Sequence, residues 1–156
     1  WKRPGLELDR GTLSRAARVV TEFPRVGQGI SGRGPGAMGY ELTWERKGVY
    51  KRFTGVVKGR DYLRSQAEVF ADPRFDQLRY VINDLLAVEA FDYSIEDAEY
   101  AAAYNRGPSY TRPAVDVAYV TTDTGIVTLI DRVRDLSSYP LHVFPTLGRA
   151  REKFPP

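Results

Sequence analysis

The residues with most chemical potential cluster between positions 84 and 94, where Asp84, Glu89 and Asp92 precede Tyr93 and Ser94. Two carboxylates run general acid–base chemistry only when their surroundings hold their pKa values apart. Nothing in the sequence does that here, and solvated loop acids with helix caps are the simpler reading. Ser94-Ile95-Glu96-Asp97 has the Ser-x-x-acid spacing of a capping box. Ser94 therefore has a plain role, capping a helix for about 1 kcal/mol. It also has a sharper one as a phosphate acceptor, because about −1.5 to −2 added charges at a helix N-terminus alter both the local dipole energetics and a docking surface. Further along, Thr122 and Asp123 form a second polar tip, with Asp123 placed to cap another helix.

Other chemistry is narrowed by what the 156 residues contain. There is no cysteine, which excludes disulfides, thiolate metal sites and a cysteine nucleophile, and makes a reducing cytoplasm the expected setting. His142 is the single histidine, whereas zinc or iron centres normally use two or more His or Cys ligands. It falls in an expected strand with no nucleophile near it in sequence, so a packed or edge histidine is the expectation. No catalytic residue, metal ligand or cofactor is assigned. The tyrosines Tyr93, Tyr100, Tyr104, Tyr110 and Tyr139 suit an apolar pocket or an interface, although most tyrosines simply bridge core and solvent.

Charge is unevenly placed. Residues 1–37 carry seven Lys and Arg against three acids, whereas the remainder holds 16 basic and 17 acidic residues. A domain that neutralises several phosphates needs a basic excess on its folded part, so nucleic acid is not an expected partner of the folded domain. Residues 1–37 also hold half of the 14 glycines and little apolar material, and read as a flexible Gly/Arg-rich leader outside the fold, with Met38 as the expected natural start. A short helix over 12–23 is compatible with that segment but not demanded by it. The run Ser31-Gly32-Arg33-Gly34-Pro35-Gly36 lacks the Gly-Lys-Ser/Thr ending of a phosphate loop. No stretch of about 18 apolar residues exists to span a membrane.

The elements that must position these residues follow from period and punctuation. Residues 40–45 and 49–58 alternate, are rich in Tyr, Val, Thr and Phe, and flank Lys47-Gly48, which predicts a hairpin. Asp61 then opens a helix with Leu63, Ala67 and Phe70 on one face, stopped by Asp72-Pro73. Residues 78–86 are a continuous apolar run suited to a central strand, followed by an acid-bearing loop over 84–94. Helix over 94–104, a stop at Arg106-Gly107-Pro108, strand over 116–121 and a helix capped by Asp123 come next; Ile126, Leu129, Ile130 and Val133 form its apolar stripe. A short strand over 141–144 and a helix from Thr146 to near Phe154 complete the domain. This alternation calls for an α/β fold: a mixed, mostly parallel sheet of about five strands, with an N-terminal antiparallel hairpin and about four helices.

From Met38 to Phe154 the chain resembles the SpoIIAA-like proteins, small bacterial domains of the STAS class related in layout to CRAL-TRIO lipid-carrier domains. The resemblance rests on the order and spacing of Tyr40-Glu41-Leu42, Gly48-Val49, Phe53-Thr54-Gly55, Asp72-Pro73-Arg74-Phe75-Asp76, Tyr80-Val81-Ile82-Asn83-Asp84, Val117-Ala118-Tyr119-Val120-Thr121-Thr122-Asp123 and Val143-Phe144-Pro145-Thr146-Leu147-Gly148-Arg149-Ala150-Arg151. It implies a domain over 38–156. In antagonists of this class, a strand ending in Asp leads to Asp-Ser-Ser/Thr-Gly, whose first serine is a phosphorylation switch. Here Tyr93 stands at the switch position, Ser94 follows one residue late, and Ile95 replaces the glycine.

The expected function is a non-enzymatic regulatory or protein-interaction module that meets a protein partner through Asp84, Asp92, Tyr93, Ser94, Thr122 and Asp123, with Ser94 as the candidate phosphorylation site. The alternative is a carrier or sensor of a small apolar, lipid-like ligand, which requires a cavity of about 300 to 1,000 Å³. A carboxylate-based hydrolase is the weakest reading, because it needs two acids converging in a cleft.

Overall fold

The computed structural model describes residues 39–156. The readings for residues 1–37 and Met38 lie outside the described residues. The described elements are β1 (Gly39–Trp44), β2 (Gly48–Lys58), α1 (Gly59–Ala71), a 3-10 turn (Pro73–Gln77), β3 (Tyr80–Asp92), α2 (Ile95–Tyr104), α3 (Arg106–Thr111), β4 (Asp116–Val120), α4 (Thr124–Val133), a second 3-10 turn (Arg134–Leu136), β5 (Leu141–Phe144) and α5 (Leu147–Lys153). One five-stranded sheet runs β1-β2-β3-β4-β5, antiparallel at β1/β2 and parallel elsewhere.

Strand alternation divides the core in two. One face presents Val49 and Phe53 from β2, Val81 and Leu85 from β3, and Val117 from β4 to residues of α1, α2 and α4. The opposite face presents Tyr80, Ile82, Ala118 and Val120 to Ala150 and Phe154, so α5 covers it. This explains why 80–82 reads as one apolar run: successive side chains bury on opposite faces. At the start of β2, Gly48 lies under the Tyr80 ring so closely that a Cβ there would stand 2.1 Å from a ring carbon.

Four local expectations need adjusting. The buried stripe of α1 is Tyr62, Ser65, Gln66 and Val69, not Leu63, Ala67 and Phe70. Leu63 and Phe70 pack at its margin, and two polar residues occupy its centre, of which Ser65 accepts from Lys51 beneath it. The helix also begins earlier, at Gly59, with Asp61 in its first turn. Strand β3 does not end near Leu86 but continues to Asp92, so the expected 84–94 loop is largely strand. Beyond Asp84, β4 has no further partner residues, yet β2 continues pairing through Lys58↔Asp92, and that ribbon supplies the backbone hydrogen bonds. Gly55, at φ +70°, lies at the register shift in this ribbon. Finally, Arg106-Gly107-Pro108 ends α2 but starts the short α3 instead of a loop.

Candidate functional site

The predicted site residues separate into two groups. Asp84 lies mid-strand on the α5 face, only 7% exposed, where its carboxylate accepts from the Tyr50 hydroxyl (2.6 Å) and the Leu86 amide (3.1 Å). Burial, then the hydrogen bond to Asp84, pushes the Tyr50 hydroxyl up to about 12. Asp84 is therefore a packed acid inside β3, level with Val120 at the end of β4, a placement unlike the loop position expected for it. Its neighbour in sequence, Asn83, faces the helices instead.

Asp92, Tyr93, Ser94, Thr122 and Asp123 do lie at strand ends and helix starts. The capping box is formed in both directions. Asp97 N donates to Ser94 Oγ (3.1 Å), and Ser94 N donates to Asp97 Oδ2 (2.9 Å). Asp123 Oδ1 accepts from Ile126 N (2.9 Å) and so caps α4. Asp92, Ser94, Thr122 and Asp123 are exposed. Tyr93 differs: its ring turns inward, edge-on to Tyr62 (5.4 Å between centroids) and against Phe91 (5.0 Å), and its hydroxyl donates to Asp97 O (3.3 Å). Burial raises its pKa. Between these elements runs an open cleft of about 580 Å³, walled by Tyr93, Ile95, Asp123, Leu129 and Arg132.

The structure also shows a group that the sequence reading missed. Registers Leu42↔Lys51, Lys51↔Asn83, Asn83↔Tyr119 and Tyr119↔Val143 place Lys51, Asn83 and Tyr119 side by side in one row across the sheet. All three face the helices. Lys51 is 2% exposed and Asn83 0%, beneath Ser65 at 0%. Lys51 Nζ donates to Ser65 Oγ (3.1 Å), and Ser65 Oγ donates in turn to Tyr62 O (2.7 Å). The Tyr62 ring centroid is 5.1 Å from Nζ, and the Tyr62 and Tyr119 hydroxyls are 2.7 Å apart. Burial, only partly opposed by the charge of Glu68, lowers the Lys51 pKa from 10.5 to about 7. The signal for Lys51 was available, since Val49, Lys51 and Phe53 share one parity of an alternating strand and an inward charge breaks that pattern.

His142 pairs across β4/β5, with Nε2 2.6 Å from Asp116 Oδ1, and lies against the Phe154 ring (5.7 Å), in keeping with a packed edge residue. Among the described residues, no group of three or more His, Asp and Glu side chains is arranged to hold a metal ion. None of the described helices is long and apolar enough to cross a membrane.

No protein-family model matches the chain, and no curated protein matches it by sequence. Solved structures do match. The anti-sigma factor antagonist SpoIIAA in its unphosphorylated form aligns with a TM-score of 0.54 at 9% identity, covering 74% of this chain and 97% of that one. An uncharacterized DUF3478-family protein with a SpoIIAA-like fold from Shewanella loihica PV-4 aligns at 0.52 and 12% identity, covering 78% and 98%. An anti-sigma factor antagonist from Mycobacterium paratuberculosis aligns at 0.48 and 18%, covering 77% and 96%. The class of the described domain is thus α/β with the sheet order and helix placement above. More particularly, its fold is SpoIIAA-like.

Proposed function

We propose that this domain is a non-enzymatic regulatory module that meets a protein partner through the rim formed by Asp92, Tyr93, Ser94, Thr122 and Asp123, with Ser94 as its modifiable residue. The observation that carries this reading is an exposed serine in a reciprocal capping box beside an open cleft of about 580 Å³. A phosphate on Ser94 would meet the Asp97 carboxylate that now accepts from Ser94 N, with Asp92 and Glu96 nearby in sequence. Like-charge repulsion would reorganise the cap and with it one edge of the cleft. The shared fold with an anti-sigma factor antagonist solved in its unphosphorylated form supports a protein partner and a phosphorylation-dependent state. The balanced charge of residues 38–156 supports a protein over nucleic acid. A cytoplasmic setting fits the absence of cysteine.

A lipid carrier is a poorer fit. The internal cavity beneath the helices measures about 70 Å³, well short of the roughly 300–1,000 Å³ of drug-sized ligand sites.

A photo-crosslinking amino acid placed at exposed Thr122, and separately at exposed Glu152 on α5, tests the rim in cells. One discrete protein adduct from position 122 and none from 152 is expected. Equal adducts from both positions, or none from either, would remove the basis for this surface.

A further inference from the structure

The row of Lys51, Asn83 and Tyr119 borders a cavity of about 70 Å³ between the sheet and helices α1, α2 and α4. Its walls are mostly apolar, and Lys51 is the one formally charged residue lining it. No carboxylate lines it. Glu68, whose charge reaches Lys51, is already engaged: its Oε1 accepts from the Tyr40 hydroxyl (2.5 Å) and lies 3.6 Å from Arg64 Nε. The ammonium thus has Ser65 as its hydrogen-bond acceptor and no anion beside it.

Several polar atoms without partners belong to residues that line the same cavity. Gln66 Oε1, Asn83 Oδ1, Asn105 Oδ1 and the Tyr139 hydroxyl are buried without hydrogen-bond partners, and all four residues line the cavity. The orientation of Asn83 is set, because its Nδ2 donates to Ala118 O (3.3 Å), which leaves Oδ1 as a free acceptor. Buried polar atoms are rarely left unpaired, and each such group calls for an occupant. At roughly 10–15 Å³ per water-sized occupant, the cavity holds about five to seven such units. Phe91, Tyr93, Ile126 and Leu129 wall both this cavity and the rim cleft, so only these side chains stand between the two spaces.

We propose that this cavity binds a small hydroxycarboxylate, with its carboxylate on the Lys51 ammonium and its hydroxyl donating to Asn83 Oδ1. An anion supplies the charge that Lys51 lacks, a hydroxyl satisfies the orphaned acceptor, and the size admits a molecule of about five heavy atoms. The charged and titratable groups around Lys51 are Tyr62 and Glu68 from α1, Tyr119 from β4, and Tyr93 at the β3–α2 junction. The three tyrosines have raised pKa values, so they stay protonated where Lys51 titrates. The proposal does not rest on the partner rim, and the crosslinking outcome leaves it untouched.

Calorimetric titration of the full chain with glycolate is the test, with acetate and ethylene glycol as the partners lacking hydroxyl or charge. Glycolate is expected to bind one to one, acetate several-fold more weakly, and ethylene glycol not at all. Affinity should fall about tenfold per pH unit above about pH 7, as the protonated fraction of Lys51 declines. Lys51→Met should abolish binding. Amide shifts in the wild-type protein, read by NMR, should centre on Lys51, Asn83 and Tyr119, which locates the site independently of any variant. No saturable glycolate binding up to roughly 10 mM would show water to be the sole occupant and overturn the proposal. Equal binding by Lys51→Met, or shifts centred elsewhere, would overturn it as well.

Discussion

Replacing Lys51 by Met should stabilise the domain, and by an amount that depends on pH in a defined direction. In the fold, the Lys51 pKa is about 7 against 10.5 for the free side chain. At about 1.4 kcal/mol per unit, that difference is a penalty of roughly 5 kcal/mol for burying the ammonium. Below about pH 7 both folded and unfolded chains are protonated at this residue, and the penalty is present in full. Between about pH 7 and 10.5 the unfolded chain binds the extra proton, so stability rises with pH by up to about 1.4 kcal/mol per unit. Above about pH 10 the raised tyrosines oppose this, because the unfolded chain then releases protons that the folded chain keeps. The informative window is therefore about pH 7 to 9.5. Methionine fills a similar length and has no charge to desolvate, so the variant escapes this penalty. Urea denaturation across the window should show the wild type gaining about 2–3 kcal/mol more than the variant, with the variant more stable at the acid end. Parallel curves for the two proteins would mean that Lys51 is not a desolvated ammonium, and the argument would fail.

Two further substitutions probe local geometry. Ser94→Ala removes the oxygen that accepts from Asp97 N and should cost about 1 kcal/mol in denaturant midpoint experiments; an unchanged midpoint would show that the cap is dispensable. Gly48→Ala drives a methyl group into the Tyr80 ring, whose hydroxyl lies 2.6 Å from both Glu45 Oε2 and Pro155 O. A loss of about 1–3 kcal/mol in calorimetric unfolding is expected, and a neutral result would contradict the close approach.

How much of this was legible in the sequence differs by element. Capping chemistry is local, so Ser94 with Asp97, Asp123 and the stop at Asp72-Pro73 could be read from spacing alone. The far half of β3 could not. Ala87-Val88-Glu89-Ala90 has weak strand propensity, and its conformation comes from the edge that β2 offers beside it. Asp84 was assigned to that loop although it also fell inside the strand read over 78–86, where parity turns its side chain to the α5 face and under Tyr50.

Alternation, caps and breakers by themselves determined a mixed α/β domain with an opening hairpin, because each acts over a few neighbouring residues. The inward row of Lys51, Asn83 and Tyr119 was decided only by strand register, which brings together residues 32 and 36 positions apart. Whether a charge at an inward position is solvated, paired or left facing a cavity depends on what α1 lays over it, and no local pattern carries that information.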